Sequence, residues 1–176
     1  NLISRVFDND LPVADHVIHL ARFAYGSIRL LKVNVPSYYK LPNIENGSGI
    51  FGYCENLKVL SGFANHWVNA GILKDGIAGC SNLVESDLMV PCINGRGSIK
   101  AFYSKCENLE TPLEKLFHPA GICQTSLDVG VMFRDCKKAA DATDFTKLGD
   151  LLWNNTSITF IGTSNVFTYS TGVNYL

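Results

Sequence analysis

No run of basic residues longer than Lys137-Lys138 occurs in this 176-residue chain, and its formal charge is −1. A protein that neutralises phosphates gathers Lys and Arg on one face, so no nucleic-acid partner is expected. No apolar stretch approaches the ~20 residues that a helix needs to cross a bilayer, so no membrane span is expected. Charged residues make up only 18% and apolar ones 47%, the balance of a folded chain and not of a disordered one. Catalytic signatures are missing as well: there is no P-loop, no dinucleotide glycine fingerprint and no Gly-x-Ser-x-Gly elbow. The intervals Cys80–Cys92 and Cys106–Cys123 are far wider than the ligand pairs of zinc sites, spaced by about two to four residues. The chain opens at Asn1 without a signal-like segment, which we read as a mature or excised piece of something longer.

What is present is a repeated cysteine. Residues 51–60 read FGYCENLKVL, 77–86 IAGCSNLVES, 103–112 YSKCENLETP and 133–142 FRDCKKAADA. The anchors Cys54, Cys80, Cys106 and Cys136 are separated by steps of 26, 26 and 30 residues. A period in the twenties is the signature of stacked units that bury their apolar positions against one another. Two weaker copies extend the series. One has Phe23 three residues before Gly26, followed by Ile28 and Leu31. The other has Trp153 three before Thr156, followed by Ile158 and Ile161.

Each unit has a physical logic. An apolar pair such as Ile50-Phe51 or Phe102-Tyr103 fills one side of a helical turn. A small anchor fits where coils crowd, and Leu57, Leu83 or Leu109 then points back inside. Asn56, Asn82 and Asn108 lie between anchor and Leu, where a side-chain amide satisfies a turning backbone. A stretch suited to a short strand follows. The Gly/Asn-rich pieces between units read as turns and not as domain linkers. At the N-terminus, Val13, Val17, Leu20 and Ala21 have amphipathic helical spacing, so a capping helix is expected over Val13–Phe23. The alternation over Ser157–Leu176 predicts two short closing strands. Equivalent positions of stacked units form a row whose side chains point in parallel and not at each other. Reduced, buried packing cysteines are therefore expected in preference to disulfides.

These units resemble the BspA-like leucine-rich repeat. Val131–Phe145, VMFRDCKKAADATDF, is similar to that family's Met-Phe-x-x-Cys opening with its strand and Phe, and FGYCENLKVL and YSKCENLETP match the same opening. The resemblance covers Phe23 to Ile161. Ser86, Pro112 and Ala142 stand where typical members carry the strand Leu. The fold class this implies is an α/β repeat: a short, irregular, right-handed leucine-rich-repeat solenoid of about six coils, with short strands, helical turns and an N-terminal helical cap. It occupies residues 1–176 as one domain. Family members are mostly non-enzymatic surface proteins of bacteria, some eukaryotic microbes and phage-related genomes.

The function implied is a binding module that presents a repeat surface to a protein or glycan partner at a bacterial cell surface or outside the cell. A structural or decorating segment of a larger extracellular or virion assembly is the alternative. Neither reading calls for catalysis, a cofactor or a metal. His16 and His19 share a helical face and are weighed as metal ligands, but two polar-face histidines are the preferred reading. A Cys123–His118 nucleophile pair has nothing local to support it. The candidate partner-binding residues are His66, Trp67, Arg96 and His118, in the variable halves of successive repeats; for Trp67 a place in the core is the competing reading.

Overall fold

A computed structural model describes residues 19–35, 44–63, 72–89, 95–117, 124–153 and 159–161. Its organising element is a column of turns. In each unit three overlapping i to i+3 hydrogen bonds close successive turns, as in Ile50 N–H to Gly47 O, Gly52 N–H to Gly49 O and Cys54 N–H to Phe51 O. Two residues per unit, four apart, have positive φ: Arg22 and Gly26, Gly49 and Tyr53, Asp75 and Gly79, Ala101 and Lys105, Val131 and Asp135. That conformation turns every second N–H along the stack. Leu20, Arg22, Ala24 and Gly26 donate to the carbonyls of Asn46, Ser48, Ile50 and Gly52, each at 2.8 Å. Gly47, Gly49, Phe51 and Tyr53 repeat this onto Ile72, Lys74, Gly76 and Ala78, and the pattern continues to Arg134.

This ladder sets the true phase of the units. Ser27 N–H bonds Ala24 O as Cys54 N–H bonds Phe51 O, so Ser27 and not Gly26 is the first anchor, and the steps become 27, 26, 26 and 30 residues. The correction has consequences for the core. Ala24 takes the inward place of Phe51 and Leu30 that of Leu57, whereas Phe23, Ile28 and Leu31 are exposed at 37%, 59% and 60%. The first copy therefore lies one position later than the Phe23–Gly26 spacing implies.

Strands flank the turns on both sides. Five residues past each anchor, β1 (Lys32–Asn34), β2 (Val59–Ser61) and β3 (Glu85–Ser86) form a parallel sheet, pairing Val33 with Leu60 and Leu60 with Ser86. Eight residues before each anchor, single parallel bridges join His19, Asn46, Ile72 and Ser98. From there this second column widens into β4 (Gly95–Ser98), β5 (Gln124–Asp128) and β6 (Thr159–Ile161), also parallel. Beyond the fourth anchor, Cys106, the first column holds no strand among the described residues: a 3-10 helix (Leu113–Leu116), α1 (Lys137–Asp141) and α2 (Phe145–Trp153) occupy it instead. Pro112 stands where β3 would find its next partner, and proline has no N–H to give to a ladder.

Two expectations at the chain ends are corrected. Residues 13–18 lie outside the described residues, but His19–Phe23 form a bridge and a turn, with Arg22 at φ 57°, and not the end of a helix. At the other end Trp153 closes α2, and Ile161 pairs with Asp128 in the column eight residues before an anchor. Trp153 therefore ends one unit, and Thr159–Ile161 is the opening strand of the next. Of the two closing strands expected over 157–176, β6 is described; residues 162–176 lie outside.

The core is one cluster running the length of the stack, from Ala24 to Leu148. The four anchor cysteines are free and fully buried within it. Each thiol also donates to the preceding unit: Cys54 to Ala24 O at 3.0 Å, Cys80 to Phe51 O at 3.1 Å, Cys106 to Ile77 O at 3.3 Å and Cys136 to Tyr103 O at 2.9 Å. The acceptors are the carbonyls that close the last turn, so each receives an N–H from its own unit and an S–H from the next. A second row runs outside it, with Asn56, Asn82 and Asn108 amides donating to Ile28, Glu55 and Ser81 carbonyls at 2.8–2.9 Å. Size is matched between units as well: a Cβ on Gly76 would lie 2.2 Å from the Phe102 ring, so the small residue makes room for the large one that follows.

Burial, with the Cys136 thiol beside it, pushes the Cys106 thiol well above its usual range, and the Cys54 thiol together with burial does the same to Cys80. Alkylation of the native protein at neutral pH is expected to spare Cys54, Cys80, Cys106 and Cys136, as read by peptide mapping; labelling at the rate of a urea-unfolded control would contradict this. Because an acceptor awaits a hydroxyl, Cys80→Ser is expected to cost about 1 kcal/mol, less than Cys80→Val, which adds volume and removes the donor, at about 1–3 kcal/mol.

Gly62 offers a sharper test. Its φ is +84° and a Cβ there would lie 1.9 Å from Val35 O. Gly62→Ala is expected to destabilise by about 2–4 kcal/mol in urea titrations, from left-handed strain plus the backbone shift. A change within about 0.5 kcal/mol would mean that the β1–β2 register is wrong.

Candidate functional site

Of the sequence-derived candidates, Arg96 and His19 are among the described residues. His66, Trp67 and His118 lie outside the described residues, as do His16, Cys92 and Cys123. Arg96 is on β4, paired with Ser126 of β5 just after a register shift between Gly95 and Arg96. His19 is exposed at its bridge to Asn46. No group of three or more His, Cys, Asp or Glu able to hold a metal occurs among the described residues. No described helix is long and apolar enough to cross a membrane.

The described surface does contain a cleft of about 420 Å³, and it sits where the strand column stops. Val59, Leu60 and Ser61 of β2 and Glu85 and Ser86 of β3 form one side. The other comes from Glu110, Thr111, Pro112 and Lys115, on the segment that leaves the sheet for the 3-10 helix. The peeling away is visible in the hydrogen bonds. Glu110 N–H still reaches Val84 O at 2.9 Å, but Ser86 N–H is taken by the Thr111 hydroxyl at 3.1 Å, and Leu113 N–H by the Thr143 hydroxyl at 2.9 Å. Two threonine side chains thus stand in for strand pairing across the break.

The wall below the cleft is held by a buried polar cluster. Ser86 occupies the inward position of Val33 and Leu60, where a hydroxyl without a partner would be costly. Its partner is Tyr103, the residue at the Phe51 position one unit on: the phenol lies 2.9 Å from Ser86 Oγ and donates to Leu88 O, while Leu88 N–H donates to Ser86 Oγ at 3.2 Å. The Tyr103 ring stacks on Phe133, with centroids 5.7 Å apart. Burial holds this phenol well above the usual tyrosine range, the Ser86 bond partly offsetting it, so it remains neutral. Asp87, at the cleft edge, accepts Gly62 N–H at 2.7 Å and Phe63 N–H at 3.0 Å, tying β3 to the turn after β2.

The chemistry of the cleft is acidic and open. Glu85, Asp87 and Glu110 face a single lining cation, Lys115. Glu110 is 3.4 Å from Lys138 in an exposed pair. A carboxylate with fixed geometry, a hydroxyl and an apolar strip suit recognition; the described residues bring no nucleophile and base together here. Sequence reasoning passed over these residues, although Ser86 and Pro112 were visible as departures from the repeated strand Leu. A second exposed surface lies on the turn column of the first two units: Tyr25 and Tyr53, rings 5.4 Å apart, lie against Gly49, Gly52 and Gly79, with the Arg22 guanidinium 5.3 Å from the Tyr25 ring centre.

Comparison with protein-family models, curated proteins and solved structures finds no match for this chain.

The Ser86–Tyr103 pair is expected to act as a unit. Tyr103→Phe and Ser86→Val should each cost about 1–3 kcal/mol, and the double variant should recover about 1 kcal/mol or more of the sum. Strict additivity in urea unfolding would show that the two hydroxyls stabilise independently.

Proposed function

We propose that this chain is a short, irregular leucine-rich-repeat solenoid of the BspA-like kind, acting as a non-catalytic module that binds a protein or glycan partner at a cell surface or outside the cell. The observation that carries the reading is the use made of the recurring residues. Cys54, Cys80, Cys106 and the Asn56 row are spent on joining units, and the Leu57 row on filling the core. What varies from unit to unit is the outward face, and a row of equivalent, variable positions on a rigid stack is a surface suited to recognition. The open cleft past β3 is one part of that surface among the described residues.

A second reading, a structural segment of an extracellular or virion assembly, draws on Phe23, Ile28 and Leu31, exposed on the first unit where the second unit carries Glu55 and Lys58 in place of Ile28 and Leu31. Exposed apolar groups of this kind mark contacts between chains. Peptide and glycan arrays probed with the whole chain, together with light scattering over a range of concentrations, separate the two readings. The binding reading expects a monomer that is retained reproducibly by one ligand class, and retention that is lost on substitution of outward residues. Concentration-dependent assembly, suppressed by Ile28→Ser with Leu31→Ser and accompanied by no retained ligand, would establish the structural reading in its place.

A further inference from the structure

We infer that the cleft past β3 receives a cationic side chain, arginine or lysine, carried by an extended segment of a partner protein; the inference rests on the binding reading above and names the chemistry of the partner. Charge complementarity argues for the occupant. Three carboxylates, those of Glu85, Asp87 and Glu110, line the cleft against the lining cation Lys115, and with Lys138 paired to Glu110 at 3.4 Å one carboxylate remains in excess. Asp87 is held in place by Gly62 N–H and Phe63 N–H, so its charge is positioned and does not swing away. Glu85 is exposed and has no ion pair among the described residues. Val59, Leu60 and Pro112 supply an apolar strip for the methylene stem that both basic side chains bury while their heads stay polar. The volume, about 420 Å³, lies at the lower end of the ~300–1,000 Å³ of ligand sites, room for one large side chain and its neighbours.

The break at Pro112 explains why the site falls at this joint. At the two earlier joints of the column, a neighbouring strand covers the outer edge of β1 and of β2. At β3 the chain departs after Glu110, the strand edge and its carboxylates are left facing outward, and the Thr111 hydroxyl satisfies Ser86 N–H without closing the gap. A neutral polar ligand has nothing to gain from the excess of carboxylates, whereas a cation does, and the gain weakens with salt.

The test uses the whole protein and three blocked peptides, acetyl-Gly-Ser-X-Ser-Gly-amide with X arginine, lysine or citrulline, each titrated to about 10 mM while backbone amide resonances are followed. Saturable shifts at Ser61, Glu85, Asp87 and Thr111 are expected with arginine and lysine and not with citrulline. Glu85→Gln is expected to weaken binding about fivefold, and Glu55→Gln, one unit away, to leave it unchanged. Raising salt from about 0.05 to 0.5 M should weaken it further. Equal shifts with citrulline, no shifts with arginine or lysine, or arginine binding indifferent to Glu85→Gln would each overturn the cation site. None of those results touches the array outcome, so the binding reading and this site can fail separately.

Discussion

Everything in this molecule hangs on one backbone device: alternate N–H groups in the turn column donating to the next unit. A chain that closes three successive turns points its amides in several directions. Placing two residues at positive φ, four apart, brings every second N–H parallel to the stack axis, so four bonds cross each joint. The cost is conformational. Of the ten residues at these positions only Gly26, Gly49 and Gly79 relieve it as glycine; Arg22, Tyr53, Asp75, Ala101, Lys105, Val131 and Asp135 hold a conformation that disfavours a Cβ by about 1–2 kcal/mol each. The joint bonds and the burial of Phe51, Phe102 and Phe133 must outweigh that strain. The anchor cysteine follows from the same geometry. The carbonyl closing the last turn faces inward with one lone pair unused, and a buried thiol is small enough to fit there and polar enough to donate.

Regularity of the turn column is what allows irregularity elsewhere. With the joints carried by backbone bonds, the flanking columns are free to change. In the first units the strands follow the anchors, as β1 to β3. In the later ones they precede the anchors, as β4 to β6, and helices fill the vacated column. The handover takes place within the fourth unit, at Thr111-Pro112. Ser86 and Tyr103 belong to it, since a hydroxyl in the Leu60 position is stable only because the next unit supplies a phenol and not a phenyl ring.

The parts legible in the sequence were those made by identical residues doing identical work. Cys54, Cys80 and Cys106, each followed by Asn and Leu at fixed distance, gave their own register, and the structure bonds the Cys and Asn rows to the preceding unit and buries the Leu row in the core. Where the chemistry of the anchor changed, side-chain character misled. Phe23 is an aromatic at a tempting distance from Gly26, but backbone bonding puts Ala24 inside and makes Ser27 the anchor. Trp153 imitated Phe133 in the same way, although it closes a helix. The positive-φ pairs left no trace, because glycine marks so few of them. The cleft was hidden for a related reason. It is assembled from Glu85, Asp87, Glu110 and Pro112, none of which stands out alone, and it exists only because a strand is missing, which no local motif records.

The cleft and the interior are therefore parts of one mechanism. Pro112 removes the strand that would cover β3, and the Thr111 and Thr143 hydroxyls satisfy the N–H groups so released. Tyr103 holds Ser86 from beneath, and Asp87 ties the outer end of β3 back to Gly62. Each of these bonds spans two units, so the cleft walls are set by the spacing of the joints and not by a loop of their own. Walls tied in this way leave few side chains to order at the cleft. Because units touch chiefly their neighbours, the residues outside the cleft can vary without disturbing it, provided the turn column keeps its step.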